Sequence, residues 1–464
     1  MSNVKIGLET HVQLDTETKL FCGCPNEPAE QPNTHTCPTC LGMPGAKPRI
    51  NEAAIAAGIR TGLALDCAIA DEVVMSRKTY FYPDMAKNFQ ISQYEEPVAS
   101  DGRVVVDGTE IGIRRAHIEE DPAKLEHVGG DMASADHTRV DYNRAGVPLL
   151  EIVTEPDVST PAEARTFLQR LIRIMEYLDL YDRDTGTVRS DANISVDGGN
   201  RVEVKNITGT RAIQDALEHE LQRQERLQDR GEAVARETRT YDAEEGVTRS
   251  MRTKETEQDY GYIAEPDLVT VGISDDDIQE AEEELPELPQ AKRDRFQQEY
   301  GVGDELADSL VTDPALADAF EAAADAVGAD LAASWFSGPV KKTLNYHDLT
   351  YSASPLRQEW LVTVLEKLDS GELSDRAAET VIQELVAEPR DPAEIIAEEG
   401  LEKAGGSEVE EYVDTVIEEN PGAVEDYRSG EEDALNFLVG QVMEQSGGSA
   451  DPKEVRELLA ERLD

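Results

Sequence analysis

The sequence predicts a protein of the α+β class, in which a large region of mixed strands and helices is followed by helices alone. Apolar residues alternate with period two, as in half-buried strands, at several places before residue 290, and this pattern then fades. From residue 291 onward the apolar residues follow helical spacing. With 464 residues and 39% hydrophobic content, the chain is long enough for two or three domains with packed cores.

The first predicted strand spans residues 4–14. Its apolar residues alternate, so Glu9, His11 and Gln13 share the opposite, polar face. Further strands are predicted at residues 103–106, 109–114, 147–153, 193–196 and 201–205, with a hairpin turn at 197–200. Helices are predicted at residues 52–65, 161–178 and 213–228.

The second half of the chain is predicted to be helical. Its helices cover residues 291–300, 313–327, 331–336, 355–368 and 374–388. Three glycines in residues 400–406 indicate a linker, and helices at 408–419, 431–445 and 452–463 follow it. We therefore divide the chain into domains at residues 1–290, 291–402 and 403–464.

The charge is extreme: 44 basic residues stand against 97 acidic residues, which gives a net charge of −53. The acidic residues are spread along predicted helices and strands. This distribution favours a protein adapted to concentrated salt, where screening shortens the range of self-repulsion, over an acidic functional site. No apolar run reaches membrane-spanning length and the N-terminal segment lacks signal-peptide features, so we expect a cytoplasmic protein.

Four of the five cysteines lie in the first forty residues, at Cys22, Cys24, Cys37 and Cys40. Two thiolate pairs on two short loops can surround Zn²⁺ tetrahedrally and fill every coordination position. Such a site would hold a loop in place and would not catalyse a reaction. The alternative is four incidental thiols. Cys67 stands alone and is predicted to be an ordinary core residue.

Carboxylates and imidazoles recur on predicted strands. Glu9 and His11 project from the first strand, residues 117–121 (HIEED) offer an imidazole and three carboxylates, and Glu151 interrupts an apolar strand. A lone carboxylate is costly to bury unless it is paired or coordinated. Oxygen ligands with one imidazole suit Mg²⁺ or Mn²⁺, and such an ion assists phosphoryl transfer from ATP. The alternative is a solvated strand face.

No glycine-rich phosphate loop of the Walker or Rossmann type is present. An ATP site would therefore have to be built from side chains. In so acidic a chain, the candidates are Arg77, Lys78 and Tyr82 in one aromatic and basic segment, and Arg189 and Lys205 further on. Each cation could instead be an ordinary ion-pair partner.

Several segments together resemble one known family, the B subunit of the GatCAB tRNA-dependent amidotransferases. They occur in order along almost the whole chain: GLETHVQL at 7–14, YFYPD at 80–84, QISQY at 90–94, DYNRAGVPL at 141–149, DANIS at 191–195, VEVKN at 202–206, EPDL at 265–268 and NFLVGQVM at 436–443.

The resemblance implies a large antiparallel-sheet domain with a glutamine synthetase-like fold, followed by an all-helical domain and a small helical tail domain that contacts tRNA. It implies a carbon–nitrogen ligase with glutamine as amido donor, which uses ATP to activate the side-chain carboxylate of Asp-tRNA(Asn) or Glu-tRNA(Gln). The ammonia would come from a separate amidase, the A subunit, and the small C subunit would complete a heterotrimer. The cofactors implied are ATP, Mg²⁺ and structural Zn²⁺.

Carried over by position, the family's Mg²⁺ site falls on His11, Glu120 and Glu151, with Glu9 beside it as a further catalytic residue. The four cysteines match those family members that keep a zinc site. Two other hypotheses stay open: a zinc-stapled tRNA-binding scaffold without its own chemistry, and a metal-dependent hydrolase built on the same carboxylates.

Overall fold

The computed structural model describes residues 3–129, 135–181, 186–253, 261–402, 406–429, 431–446 and 450–463. The chain divides into two compact units, Met1–Leu288 and Pro289–Asp464. The first unit mixes strands and helices and the second is helical, which confirms the predicted α+β class. No helix in these described ranges has both the length and the apolarity needed to cross a membrane.

In the part of the first unit that the structure describes, there are a large sheet, smaller sheets and four helices. Its elements are β1 Val4–Gln13, α1 Glu52–Ala64, β2 Ala68–Ile69, β3 Glu72–Val73, β4 Ser76–Thr79, β5 Phe89–Ser92, β6 Ala99–Val106, β7 Thr109–Glu120, β8 Lys124–Val128, β9 His137–Asp141, β10 Pro148–Thr154, α2 Pro161–Tyr177, β11 Val188–Val196, β12 Val202–Thr208, α3 Thr210–Asp229, β13 Glu237–Asp242, β14 Val247–Thr253, β15 Gly261–Ala264, β16 Val271–Gly272 and α4 Asp275–Glu283.

The large sheet has nine strands in the order β14-β13-β12-β11-β1-β10-β7-β6-β2. Every neighbouring pair is antiparallel except β12 and β13, which are parallel and are joined by α3. The smaller sheet β15-β4-β5 lies next to β7 through β5. The predicted hairpin between β11 and β12 is confirmed, and Asp197 and Gly198 take the left-handed conformation that its turn requires.

One face of the large sheet is apolar and the other is polar. On β1, Ile6, Leu8 and Val12 are fully buried in the main hydrophobic core, where α1, α2 and α3 pack against the sheet. Helix starts in this layer follow from local sequence: the side chain of Asn51 caps α1, and Thr160 caps α2 just before a proline. The helices leave the polar face of the central strands available for a site.

The second unit consists of helices. They are α5 Pro289–Tyr300, α6 Asp304–Leu310, α7 Pro314–Val327, α8 Ala329–Trp335, α9 Lys341–His347, α10 Gln358–Asp369, α11 Asp375–Ala387, α12 Pro392–Glu399, α13 Gly406–Glu419, α14 Pro421–Arg428, α15 Glu432–Gln445 and α16 Pro452–Leu463, with one π-helical turn at Phe336–Val340. The five helices predicted before residue 390 are present, whereas the sequence reasoning missed α6, α9, α12 and α14.

Two separate apolar clusters stabilise this unit, one built from residues between Phe296 and Ile396 and one from residues between Val409 and Leu463. Gly400 ends α12 with a left-handed backbone, as a helix-terminating glycine does. Residues 403–405 of the predicted linker lie outside the described residues. The division of the helical half at residue 402 stays a prediction.

Candidate functional site: a carboxylate–imidazole cluster on the sheet

The polar face is organised by the register of four adjacent strands. His11 on β1 lies directly opposite Glu151 on β10 and Arg189 on β11, and Glu151 lies opposite His117 on β7. Directly opposed residues project to the same face of a sheet. The pairing therefore places a row of four ionisable side chains across the middle of the sheet.

Four side chains of this face form what we call the sheet cluster: His11, His117, Glu119 and Glu151. Nε2 of His11 lies 3.3 Å from Oε1 of Glu119 and 3.4 Å from Oε2 of Glu151. Nε2 of His117 lies 3.2 Å from the same Glu151 oxygen. Both carboxylates are buried, with exposures of 3% for Glu119 and 7% for Glu151.

The electrostatics of the sheet cluster are balanced. Burial raises the pKa of Glu151, but the facing imidazoles of His117 and His11 lower it to well below its ordinary value. The pKa of Glu119 is lowered in the same way. Conversely, burial lowers the pKa of His11, but Glu151 and Glu119 raise it well above its ordinary value, and the pKa of His117 is also raised. The two carboxylates thus face two imidazoles, and one divalent cation could supply the positive charge that these carboxylates need.

The donor set fits such a cation. One ligand atom each from His11, Glu119 and Glu151 can be chosen so that all three lie within 4.8 Å of one another. Two carboxylate oxygens with one imidazole nitrogen suit Mg²⁺ or Mn²⁺. The predicted residues Glu151 and His11 are therefore brought together on the polar face.

Between the two adjacent glutamates, the geometry favours Glu119 over Glu120 as the third ligand. Its carboxylate points away from His11: Oε1 accepts a hydrogen bond from the backbone N–H of Ile91 at 2.8 Å, and the ammonium of Lys87 lies 2.5 Å from it. Neighbouring residues of a strand project to opposite sides, so only one of two adjacent glutamates can reach the cluster. The structure brings Glu119 there.

A second acidic group lies on the same face, beside the sheet cluster, and consists of Glu9, Asp191 and Glu203. The amide of Asn193 donates to Glu9 at 2.9 Å. Lys205 already supplies a cation: its Nζ lies 2.6 Å from Asp191 and 3.4 Å from Glu203. Burial lowers the pKa of Lys205, but Asp191 and Glu203 raise it above its ordinary value, so its charge is retained.

The other residues predicted to bind ATP lie in different surroundings. Arg77 forms a bidentate ion pair with Glu265, at 2.6 and 2.9 Å. Lys78 lies opposite Tyr262 in the small sheet, and Tyr262 is close enough to the sheet cluster for Glu119 to affect its pKa. Arg189 lies 3.5 Å from Asp121 at the end of the row. Tyr82 is 40% exposed in the loop between β4 and β5. Of the basic candidates, Arg189 and Lys205 are on the polar face of the large sheet itself.

The four predicted cysteines come together between β1 and α1, and we call them the cysteine cluster. Their sulfur atoms all lie within 4.8 Å of one another, and those of Cys37 and Cys40 are 3.9 Å apart. Four sulfurs at a Zn–S distance of about 2.3 Å would be about 3.8 Å apart, so the arrangement fits a tetrahedral metal. A hydrogen bond from Cys22 lowers the pKa of Cys40 to about 5, and the ammonium of Lys19 contributes to that lowering. Cys67 is buried in the main core, as predicted.

Sequence reasoning named His117 and Glu119 only as part of the run 117–121 without pairing them, and it missed Asp191 and Glu203 as acidic site residues. The signal for all four was spacing by two residues: 117 with 119, 191 with 193, and 203 with 205 each share one face of a strand. Applying the alternation test to polar residues as well as apolar residues would have found them.

Comparisons with known proteins agree with this architecture. Residues 4–279 match the family model described as the GatB/GatE catalytic domain, and residues 318–463 match the one described as the GatB domain. Among similar proteins are subunits B of aspartyl/glutamyl-tRNA(Asn/Gln) amidotransferase from Halobacterium salinarum, 48% identical, and from Haloquadratum walsbyi, 45% identical, each over 99% of this chain and 97% of the relative. The one from Methanosarcina barkeri is 45% identical over 99% and 98%, respectively. The chain therefore belongs to the family of the B subunits of aspartyl/glutamyl-tRNA(Asn/Gln) amidotransferases.

Proposed function

We propose that this protein activates the side-chain carboxylate of Asp-tRNA(Asn) or Glu-tRNA(Gln) with ATP, and that the sheet cluster is the centre of that reaction. The single observation that carries the proposal is the set of one imidazole and two buried carboxylates, His11, Glu119 and Glu151, on the polar face of the sheet. A broad antiparallel sheet with such a polar face is also what the proposed glutamine synthetase-like fold requires.

The proposed reaction has two steps. An oxygen of the substrate carboxylate attacks the γ-phosphorus of ATP, the bond to the bridging oxygen breaks, and ADP leaves with that electron pair. Ammonia then attacks the acyl carbon, phosphate leaves, and the nitrogen loses a proton to give the amide. We propose Mg²⁺ as the ion held by His11, Glu119 and Glu151. When bound, it neutralises charge on the phosphates.

The remaining residues of the face have roles in binding and charge placement. Arg189, at the end of the row, is positioned to contact a phosphate oxygen, and Lys205 holds Asp191 and Glu203 in fixed positions. Glu9 belongs to the second acidic group and lies beside the sheet cluster, and we propose that it binds a further cation or orients ammonia. Lys78 and Tyr82, on the small sheet and its loop, are proposed to bind the nucleotide, whereas the pairing of Arg77 with Glu265 favours a structural role.

The proposed assembly is a cytoplasmic heterotrimer in which this chain is joined by an amidase, which releases ammonia from glutamine, and by a small third protein. We assign structural Zn²⁺ to the cysteine cluster, because four thiolates leave no coordination position for a substrate. The tail, built on the second apolar cluster of the helical unit, is proposed to contact tRNA.

The test is ATP turnover in concentrated salt with Mg²⁺, measured for the heterotrimer and for this chain alone. We expect ATP consumption that depends on mischarged tRNA, with amidated tRNA formed when glutamine or ammonia is supplied. A heterotrimer that binds tRNA but consumes no ATP with either Asp-tRNA(Asn) or Glu-tRNA(Gln) would favour the scaffold hypothesis. Turnover without tRNA or partners would favour the hydrolase hypothesis.

A further inference from the structure

Lys19 is a buried lysine without a carboxylate partner among the residues that the structure describes. Only 1% of it is exposed. Its ammonium donates hydrogen bonds to three backbone carbonyl oxygens, those of His35 at 2.7 Å, Ala145 at 2.9 Å and Tyr142 at 3.4 Å. Carbonyl dipoles compensate only part of the cost of burying a full positive charge. A nearby anion is needed to account for its position.

The cysteine cluster, which would be anionic with its thiolates around a metal, lies beside Lys19. The backbone N–H of Lys19 donates to the carbonyl of Cys24 at 2.9 Å. A Cβ atom placed on Gly146 would lie 3.6 Å from Cβ of Cys40, 3.7 Å from Cδ of Lys19 and 3.9 Å from Oε2 of Glu120, so the three side chains pack against the same glycine. The Glu120 carboxylate is already paired with Lys87, which leaves the sulfurs to face Lys19. The lysine and the metal-ligating sulfurs therefore occupy one compact region.

The net charge expected for a metal–thiolate site explains why a lysine would be buried beside it. Four thiolates around one divalent ion carry a net charge of −2, and Cys24 and Cys40 are both buried. A negative charge in a low-dielectric environment strongly favours a cation beside it. Outer-shell partners of metal ligands tune metal affinity in this way.

We propose that Lys19 is the counter-cation of the metal–thiolate site and, through its three hydrogen bonds, the residue that fixes the cysteine-bearing loop to the segment 142–146. The proposal rests on the cysteine cluster binding a divalent metal. Under this proposal, the segment between β1 and α1 is held by the attraction between Lys19 and the thiolates as well as by the four metal ligands.

A purely mechanical role for Lys19 would have different consequences. If it served only as a hydrogen-bond donor, a neutral donor of similar length would replace it. Lys19→Gln keeps N–H groups and removes the charge, Lys19→Met keeps the apolar stem and removes both, and Lys19→Arg keeps the charge. The comparison of Gln with Arg therefore separates charge from hydrogen bonding.

The experiment measures zinc affinity of the full chain in concentrated salt, by competition with a chromophoric chelator, and Co²⁺ absorption as a second reading of the tetrathiolate geometry. We expect Lys19→Gln and Lys19→Met each to weaken zinc binding by about 10- to 100-fold, the range typical of lost outer-shell partners, and Lys19→Arg to weaken it by much less. The matched control is Lys292→Gln, which removes a buried lysine of the other unit that is paired with Asp318. It is expected to leave zinc affinity unchanged.

A second comparison keeps the test decisive if one variant folds poorly. Cys22→His retains four ligands but reduces the negative charge of the site from −2 to −1. If Lys19 acts through its charge, the factor by which Lys19→Gln weakens zinc binding is smaller in the Cys22→His background than in the natural chain. Equal losses in both backgrounds, or unchanged zinc affinity of Lys19→Gln, would overturn the proposal. Failure of the natural chain to bind zinc would instead refute the metal site itself.

Discussion

The sheet cluster and the cysteine cluster are both suited to a metal ion, but they are supported in opposite ways. The side chains of the sheet cluster extend from three neighbouring strands whose register fixes them, and two imidazoles balance two carboxylates. The sulfurs of the cysteine cluster extend from irregular loops, and one lysine accompanies them. In the first arrangement the strand register itself holds the side chains. In the second, the proposed Zn²⁺ would hold the loops together.

The contrast between ligands held on strands and ligands held on loops shows how a reactive site can be distinguished from a structural site. A site that must bind and release substrates needs ligands that keep their positions while the occupant changes, and a sheet provides them. A site that has only to hold a loop can use flexible segments, since metal binding itself supplies the ordering free energy. Substitutions in the two clusters should therefore have unlike effects, and the largest is expected at the centre of the sheet cluster.

Glu151→Gln should abolish ATP-dependent amidation, with a loss of about 10³-fold, because it removes a charge that faces both imidazoles and the proposed ion. The fold should persist, since the substitution keeps the shape of the side chain. The measurement is tRNA-dependent ATP turnover together with tRNA binding. Glu110→Gln, at an exposed position on β7, serves as the control. Retained turnover in Glu151→Gln would exclude the proposed role of the sheet cluster.

Removal of zinc should lower stability while leaving Mg²⁺ binding to the sheet cluster measurable. At a free zinc concentration 100 times the dissociation constant, binding contributes about 2.7 kcal/mol to the stability of the folded state. Thermal unfolding with and without a strong chelator should therefore shift by several degrees in the natural chain and not in Cys37→Ser. A chelator shift that survives in Cys37→Ser would indicate that the metal binds elsewhere.

Glu119→Gln and Glu120→Gln should differ in kind, although the residues are adjacent. Glu119→Gln should reduce Mg²⁺ affinity and turnover by about 10²-fold, because its carboxylate contacts His11. Glu120→Gln should cost mainly stability, about 1–3 kcal/mol, because it removes the charged partner of Lys87 and weakens the bond to the N–H of Ile91. The reverse pattern would restore Glu120 as the ligand.

Mg²⁺ affinity should rise with pH over a wider range than an ordinary histidine would give. The raised pKa of His11 means that its proton persists above pH 6.5, and the ion must displace it. Without metal, the same shift stabilises the folded state below the unfolded-state pKa of about 6.5 and loses this effect as pH rises through the raised folded-state pKa. Calorimetry in two buffers of different ionisation enthalpy would count the released proton. A pH-independent affinity above pH 6.5 would contradict the prediction.

The α+β class, most helices and β1 could be predicted from the sequence. The full length of β7 could not, because the strand contains a bulge. Ile111 and Ile113 face the core, yet the next core residues are Ala116 and Ile118, because the register with β10 shifts between Val153 and Thr154. Alternation counted from one residue fails beyond a bulge. The predicted strand therefore stopped at residue 114.

The same shift decides which glutamate reaches the polar face. Unbroken alternation from Ile113 would place Glu120 there, whereas the bulge places Glu119 there. The resemblance by position could not detect this difference. The cysteine cluster could be predicted more completely, because its ligand types and spacing alone define it. The burial of Lys19 could not be predicted, since a single lysine that follows the polar residues 15–18 gives no indication that it is buried beside the cysteines.

The central position of β1 has a consequence for the order in which the chain can fold. β1 ends at Gln13, but its partners begin only at Pro148 and Val188, so the middle of the sheet cannot close until those strands have been synthesised. At roughly 5–20 residues per second, β1 leaves the ribosome on the order of 10 s before its first partner. During that interval its apolar side chains have no native surface to cover them. Chaperone binding to the nascent chain would protect β1, the strand that carries His11, during that interval.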